Sequence, residues 1–132
     1  MEKIWNEMYE AAKAVLNERR ISEYVTCGEV SAAVCSKSGT IYTGVCVDTC
    51  STLGICAERN AIFTAVGHGY RKGDFSKIYI MFANGNYGTP CFACRQVIVE
   101  FFNEDDEVIS VNGNGEEKVY KVRELCQFPV HR

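Results

Sequence analysis

A chain of 132 residues, 47% hydrophobic and 23% charged, has the length of one domain and enough apolar content to bury most of the surface that its unfolded form exposes. The formal net charge of −3 is spread thinly, with one acidic run (Glu104, Asp105, Asp106, Glu107) and two basic pairs (Arg19 and Arg20, Arg71 and Lys72), so no concentrated basic face exists to hold nucleic acid and a small neutral or cationic partner is favoured. Met1 to Glu7 carries scattered charges without an apolar core or a small-residue cleavage site, and no apolar run reaches membrane-spanning length; a soluble, cytoplasmic, single-domain protein over 1–132 is expected.

In chain order, Ile4, Trp5, Met8, Ala11, Ala12, Val15 and Leu16 recur at three-and-four spacing, which predicts an amphipathic helix over 3–19. Two β-rich runs, 30–36 and 40–47, flank Ser38-Gly39 and read as a hairpin. Asp48 to Ile55 is a loop. Ala57, Ala61, Ile62, Ala65 and Val66 predict a second helix from Cys56, ending at Gly67-His68-Gly69. Lys77 to Ala83 is a strand, 84–88 a turn-rich loop, and Pro90 suits the first position of a third helix through Val97, Ile98, Phe101 and Phe102. Strands near 108–112 and 118–122 flank Gly113-Asn114-Gly115, a connection too short for a parallel crossover, so this last pair is antiparallel. The order predicts an α/β/α sandwich around a mixed five-stranded sheet.

Eight cysteines without an export signal read as reduced thiols rather than a disulfide framework. Cys35, Cys46 and Cys126 sit in apolar stretches where a free thiol behaves as a small hydrophobe. Cys56, Cys91 and Cys94 differ. Each group falls at a predicted helix start, where unpaired N–H groups and the positive end of the helix dipole favour a thiolate. Cys91 and Cys94, three apart, share one side of a helical turn. Three thiolates are one ligand short of a closed structural zinc site, and a zinc ion with an open position holds and activates water.

Glu58, two residues beyond Cys56, is the candidate proton shuttle for that water. Ala57 is small enough to wall a tight substrate pocket. Three thiolates on a dication leave about −1 of formal charge, which blunts its electrophilicity. Arg59 and Arg95, close to ligand cysteines, are candidates to hydrogen-bond the sulfurs and offset that charge. The competing reading is a structural zinc module for protein or RNA binding. It requires a fourth ligand, for which Cys50 or His68 is nearest in sequence.

Cys56-Ala57-Glu58-Arg59 with Pro90-Cys91-Phe92-Ala93-Cys94-Arg95-Gln96 resembles the zinc-dependent cytidine deaminase superfamily, whose signature pairs such ligands with a non-ligating glutamate that acts as general acid and base. The resemblance extends from the first helix to about Leu125. It implies one zinc per chain on Cys56, Cys91 and Cys94, a catalytic role for Glu58, and recognition of the departing amino group by the carbonyls of Ala57 and of Thr89, beside Pro90. Cysteine as first ligand resembles the branch acting on free nucleosides. Members of that branch are commonly homotetramers, for which Phe128 is a candidate inserted aromatic.

The sugar side departs from the family. Gly28-Glu29-Val30-Ser31-Ala32-Ala33 stands where an aromatic-led strand is usual, and counting from Gly44 puts Cys46 and Asp48 in place of Asn and Glu. Asp48 and Cys46 are therefore candidate substrate contacts. Ile41 to Val45, the 84–88 loop with Asn84, Asn86 and Tyr87, and Val122 to Leu125 resemble the blasticidin-S deaminase members, which act on a cytosine-nucleoside antibiotic. The expected reaction is hydrolytic deamination of cytidine or deoxycytidine, with that antibiotic or another amino-heterocycle as the alternative.

Overall fold

Helix α1 (Lys3–Val15) buries Trp5, Met8 and Ala12, the stripe that its three-and-four spacing marks. It ends at Val15 rather than near 19, because Leu16 turns to extended backbone. The computed structural model describes residues 2–85 and 88–130, so Asn86 and Tyr87 of the turn-rich loop lie outside the described residues.

After α1 come β1 (Arg19–Ser22), β2 (Val25–Ser36), β3 (Ile41–Asp48), α2 (Ala57–Gly67), β4 (Phe75–Phe82), α3 (Phe92–Phe101), β5 (Glu107–Val111) and β6 (Glu117–Lys121), then a 3-10 turn at Val122–Glu124. The five expected strands lie side by side in the order β3-β2-β4-β5-β6. β2 is antiparallel to both β3 and β4, β4 runs parallel to β5 with α3 as the crossover, and β5 and β6 are antiparallel. The sixth strand, β1, was not foreseen. It pairs Arg19 with Cys27 and Arg20 with Thr26, on the β2 edge that β4 occupies further along.

Alternation along the sheet builds two cores. Ala33, Cys35, Tyr79, Met81, Ile109 and Val111 face α1, with Trp5, Met8 and Ala12 opposite them. Ala32, Val34, Ile78, Ile80 and Val108 face the other way, against Ala57, Ala61, Ile62 and Ala65 of α2 and Ile98 of α3. The layers are therefore α1, sheet, and α2 with α3, the expected three-layer arrangement. Among the described residues no helix is long and apolar enough to cross a membrane.

Two glycines shape the region near the predicted metal ligands. At Gly44 a Cβ would lie 2.4 Å from the Ala61 backbone nitrogen, so its absence lets α2 approach β3 closely. Gly28 has a φ of +86° and begins the irregular stretch of β2 between Cys27 and Ser31, where Glu29 and Val30 sit.

Candidate metal centre and cleft

Both helices that carry the cysteines begin at one of them. Cys56 is the N-cap of α2 and Cys91 the N-cap of α3, each with extended backbone. Pro90 thus precedes the N-cap instead of opening the helix. Cys94 lies in the first turn of α3, and its N–H donates to Cys91 Sγ at 3.4 Å.

The three sulfurs all lie within 4.8 Å of one another, and Cys56 Sγ and Cys91 Sγ are 3.6 Å apart. Thiolates about 2.3 Å from a shared tetrahedral zinc stand about 3.8 Å apart, so this donor set fits that ion in both chemistry and spacing. Neither Cys50 nor His68 joins the group. His68 is the C-cap of α2, about 18 Å along the axis from Cys56 at 1.5 Å per residue, with its Nδ1 2.9 Å from the Thr64 carbonyl oxygen. The structural-module reading therefore lacks its fourth ligand among the described residues.

The thiols differ electrostatically. Burial raises Cys94 far above the ordinary thiol range, and the Glu58 carboxylate adds to the effect. Burial also acts upward on Cys91, but the Cys94 N–H and the Cys94 and Cys56 thiols outweigh it and bring the group below its usual value. Glu58 is 4% exposed. Burial holds its carboxyl above the ordinary range, opposed by its own N–H, the Cys94 thiol and the Arg59 charge.

The two arginines part company. Arg59 Nη2 donates to Cys56 Sγ at 3.3 Å, and bonding to Cys56, against the opposing effect of burial, keeps the guanidinium firmly charged. Arg95 does not touch the sulfurs. Its Nε donates to the Pro90 carbonyl at 2.8 Å, Nη1 to the Leu125 carbonyl at 3.2 Å, and Nη2 to Thr89 Oγ1 at 3.0 Å. Helical phase alone does not separate them, since Arg59 is three beyond Cys56 and Arg95 four beyond Cys91; the Pro90 and Leu125 carbonyls and the Thr89 hydroxyl take the Arg95 donors instead.

A cleft of about 540 Å³ opens beside the metal centre, lined by Cys56, Ala57, Glu58 and Cys91, by Cys46 and Asp48 of β3, and by Thr89. That volume suits a small-molecule site. Pro90 is fully buried and does not line it. The lining also includes Val30, Thr49, Thr52, Ile55 and Phe82, whose types carry no chemical signal in the sequence. Glu29 is another unforeseen neighbour: one carboxylate oxygen each from Glu29 and Asp48, and the Cys46 sulfur, lie within 4.8 Å of one another. Burial raises the Cys46 thiol, opposed by the backbone N–H groups of Val30, Glu29 and Gly28, so a neutral thiol sits beside two acids.

The cytidine and deoxycytidylate deaminase zinc-binding region, as a family model, matches residues 5–112. The chain belongs to this family. A cytidine deaminase from Sporosarcina psychrophila is 38% identical over 88 residues, 66% of this chain and 63% of that protein. A probable cytidine deaminase from Dictyostelium discoideum is 37% identical over 108 residues, 77% of this chain and 71% of its own length. Among solved structures, the cytidine deaminase from Burkholderia pseudomallei superposes with a TM-score of 0.83 at 32% identity, covering 98% of this chain and all of that one. Family membership and the three-thiol cluster agree on zinc as the metal.

Proposed function

We propose that the protein hydrolytically deaminates a cytosine nucleoside, with cytidine and deoxycytidine as substrates, releasing ammonia and leaving the uracil form. The observation that carries this reading is a buried carboxyl, Glu58, in a small-molecule cleft beside three clustered thiols. A closed structural site has no use for that carboxyl. The similarity to proteins described as cytidine deaminases supports the choice of base.

Bound on Cys56, Cys91 and Cys94, zinc supplies an open electrophilic position that activates water. Glu58 takes a proton from that water as oxygen adds to the ring carbon bearing the amine. Its carboxyl then gives that proton to the ring nitrogen, takes the second proton from the hydroxyl just formed on the ring carbon and delivers it to the amine, so that ammonia departs as the carbonyl forms. Burial suits Glu58 to this traffic, because a carboxyl lifted toward neutrality both accepts and donates. Arg59, bonded to Cys56 Sγ, draws charge from the thiolates. The Thr89 carbonyl accepts a hydrogen of the leaving amine; the Ala57 carbonyl, expected to share that task, opens the ladder of α2 and lies against Gly44 of β3, so Ala57 serves through its side chain, which stops at Cβ and leaves room for the ring.

Cys46 and Asp48 face the sugar side in this reading. Asp48 in the cleft wall, with the exposed Glu29 beside it in an adjoining depression, favours a substrate whose sugar-side group donates hydrogen bonds or carries positive charge, which keeps the blasticidin-S reading as the alternative. We place the protein in the cytoplasm and assign it a homotetramer; exposed Leu53, Phe92 and Phe128 support burial against other copies, and sedimentation velocity reads the assembly state. The deciding experiment is a screen of cytidine, deoxycytidine, blasticidin S, cytosine and aminopurines, read by ammonia release and the ultraviolet change of the ring. Turnover of cytosine nucleosides supports the reading; no turnover of any by the zinc-loaded protein refutes it.

A further inference from the structure

Residues 88–90, which lead into α3 and bring Thr89 to the cleft, belong to no helix or strand. Side chains from elsewhere hold them. Ser110 Oγ donates to the Gly88 carbonyl at 2.8 Å, while Arg95 donates to both the Pro90 carbonyl and the Thr89 hydroxyl. The third donor of the same guanidinium reaches the Leu125 carbonyl, and its face lies 4.6 Å from the centre of the Phe92 ring. Two separate stretches of chain, 89–90 and the one at Leu125, thus meet on one planar group carried by α3.

The anchoring end is itself tied down. Gln96 donates Nε2 to the Val130 carbonyl at 2.9 Å and accepts from the Val130 N–H at 3.0 Å, clasping the C-terminal segment to α3 as a neighbouring strand would. Leu125 is buried. Arg95 therefore spans a fixed point and a segment that lacks its own ladder.

We propose that Arg95 is a positioning residue for the substrate-facing wall: by bonding the Thr89 hydroxyl and the buried Pro90 carbonyl it holds Thr89 in place for the substrate, and it does not act on the zinc thiolates. The proposal rests on the deaminase reading. It requires a guanidinium, because only a rigid fork with donors on Nε, Nη1 and Nη2 serves three acceptors in different directions; a lysine ammonium is a point donor on a flexible stem.

The test compares Arg95→Lys, Arg95→Met and Arg95→Ala in the zinc-loaded protein by three measurements. These are metal content, amide hydrogen exchange of peptides covering 88–94, and separate kcat and KM. The expected result is one zinc per chain in all three, faster exchange across 88–92, and a KM about tenfold to a hundredfold higher, the scale of small misplacements of a binding group, with kcat less affected. Added guanidinium ion restores slow exchange and low KM to Arg95→Ala, where the space is vacated, but not to Arg95→Met. Arg95→Lys keeps the charge and most of the stem, so it reads the geometry even where the other two fold poorly. Loss of zinc with unchanged exchange across 88–92 overturns the proposal in favour of action on the thiolates. Wild-type exchange and wild-type KM in Arg95→Lys also overturn it. If the unaltered chain turns over no cytosine nucleoside, the deaminase reading fails by itself, while exchange and its guanidinium rescue still decide what Arg95 holds.

Discussion

Replacing Glu58 with glutamine keeps the shape of the side chain and removes its ability to carry protons, which separates catalysis from folding. Positioned acid–base catalysis contributes about 10²–10⁴-fold, equivalent to about 2.7–5.4 kcal/mol of transition-state stabilisation at 1.36 kcal/mol per decade. Glu58→Gln is therefore expected to lose that factor in kcat with zinc still bound. Stability moves the other way. Burial raises the folded carboxyl above its ordinary value of 4.5, so its contribution to stability is complete below that pH and is lost as pH rises through the folded value. Metal-free Glu58→Gln lacks that loss, and at neutral pH its melting temperature equals or exceeds that of the metal-free parent. The assays are ultraviolet-monitored turnover, metal content, and thermal melts from pH 4 to 8 (roughly the window that brackets carboxyl titration). Full turnover with stoichiometric zinc would refute the shuttle; loss of zinc would instead make Glu58 a ligand.

Further outcomes follow from the same geometry. Arg59→Met removes the donor at Cys56 Sγ and is expected to lower zinc affinity or kcat by about 10–100-fold, the usual effect of losing a partner of a metal ligand, as read by chelator competition and turnover. Gly44→Ala forces a Cβ against the backbone of α2; overpacking of this kind costs about 1–3 kcal/mol, so the melting temperature should fall by several degrees, and an unchanged melt would show that the close approach is not needed. Asp48→Ala should raise KM for nucleosides more than for the free base cytosine, whereas equal changes would remove Asp48 from the sugar side. With zinc bound, exposed Cys50 should be alkylated first while buried Cys27 and Cys35 resist, and chelation should add Cys56 and Cys91 to the reactive set by peptide mapping.

The three-thiol cluster that fits a metal ion was legible because chemistry and location coincide: thiols at helix starts, three apart or joined to a nearby carboxylate, have few other meanings. Strand β1 was not, because all four of its residues are exposed. Backbone pairing with β2 makes that strand, and no burial alternation marks it. Arg95 shows a different limit. Its nearness to Cys94 in sequence suggested the sulfurs, but acceptors from the 89–90 segment and from Leu125, distant in sequence, take its donors, and only three dimensions reveal which carbonyls wait there. Glu29 joins Cys46 and Asp48 because a bulge in β2 and a register between β2 and β3 bring them together, neither of which local patterning specifies.

The pairing of Cys56 with Cys91 joins positions 35 apart, one at the head of each helix on the same face of the sheet. A metal ion held there is a removable cross-link. In chain-entropy terms, closing a loop of that length restricts the unfolded chain by about 4 kcal/mol, and binding of the ion to the folded state adds its own free energy. The ion that equips the cleft for chemistry is thus also a fastening between two stretches of chain that the sheet alone leaves separate, and its loss would release the heads of α2 and α3 while the strand ladder stays paired.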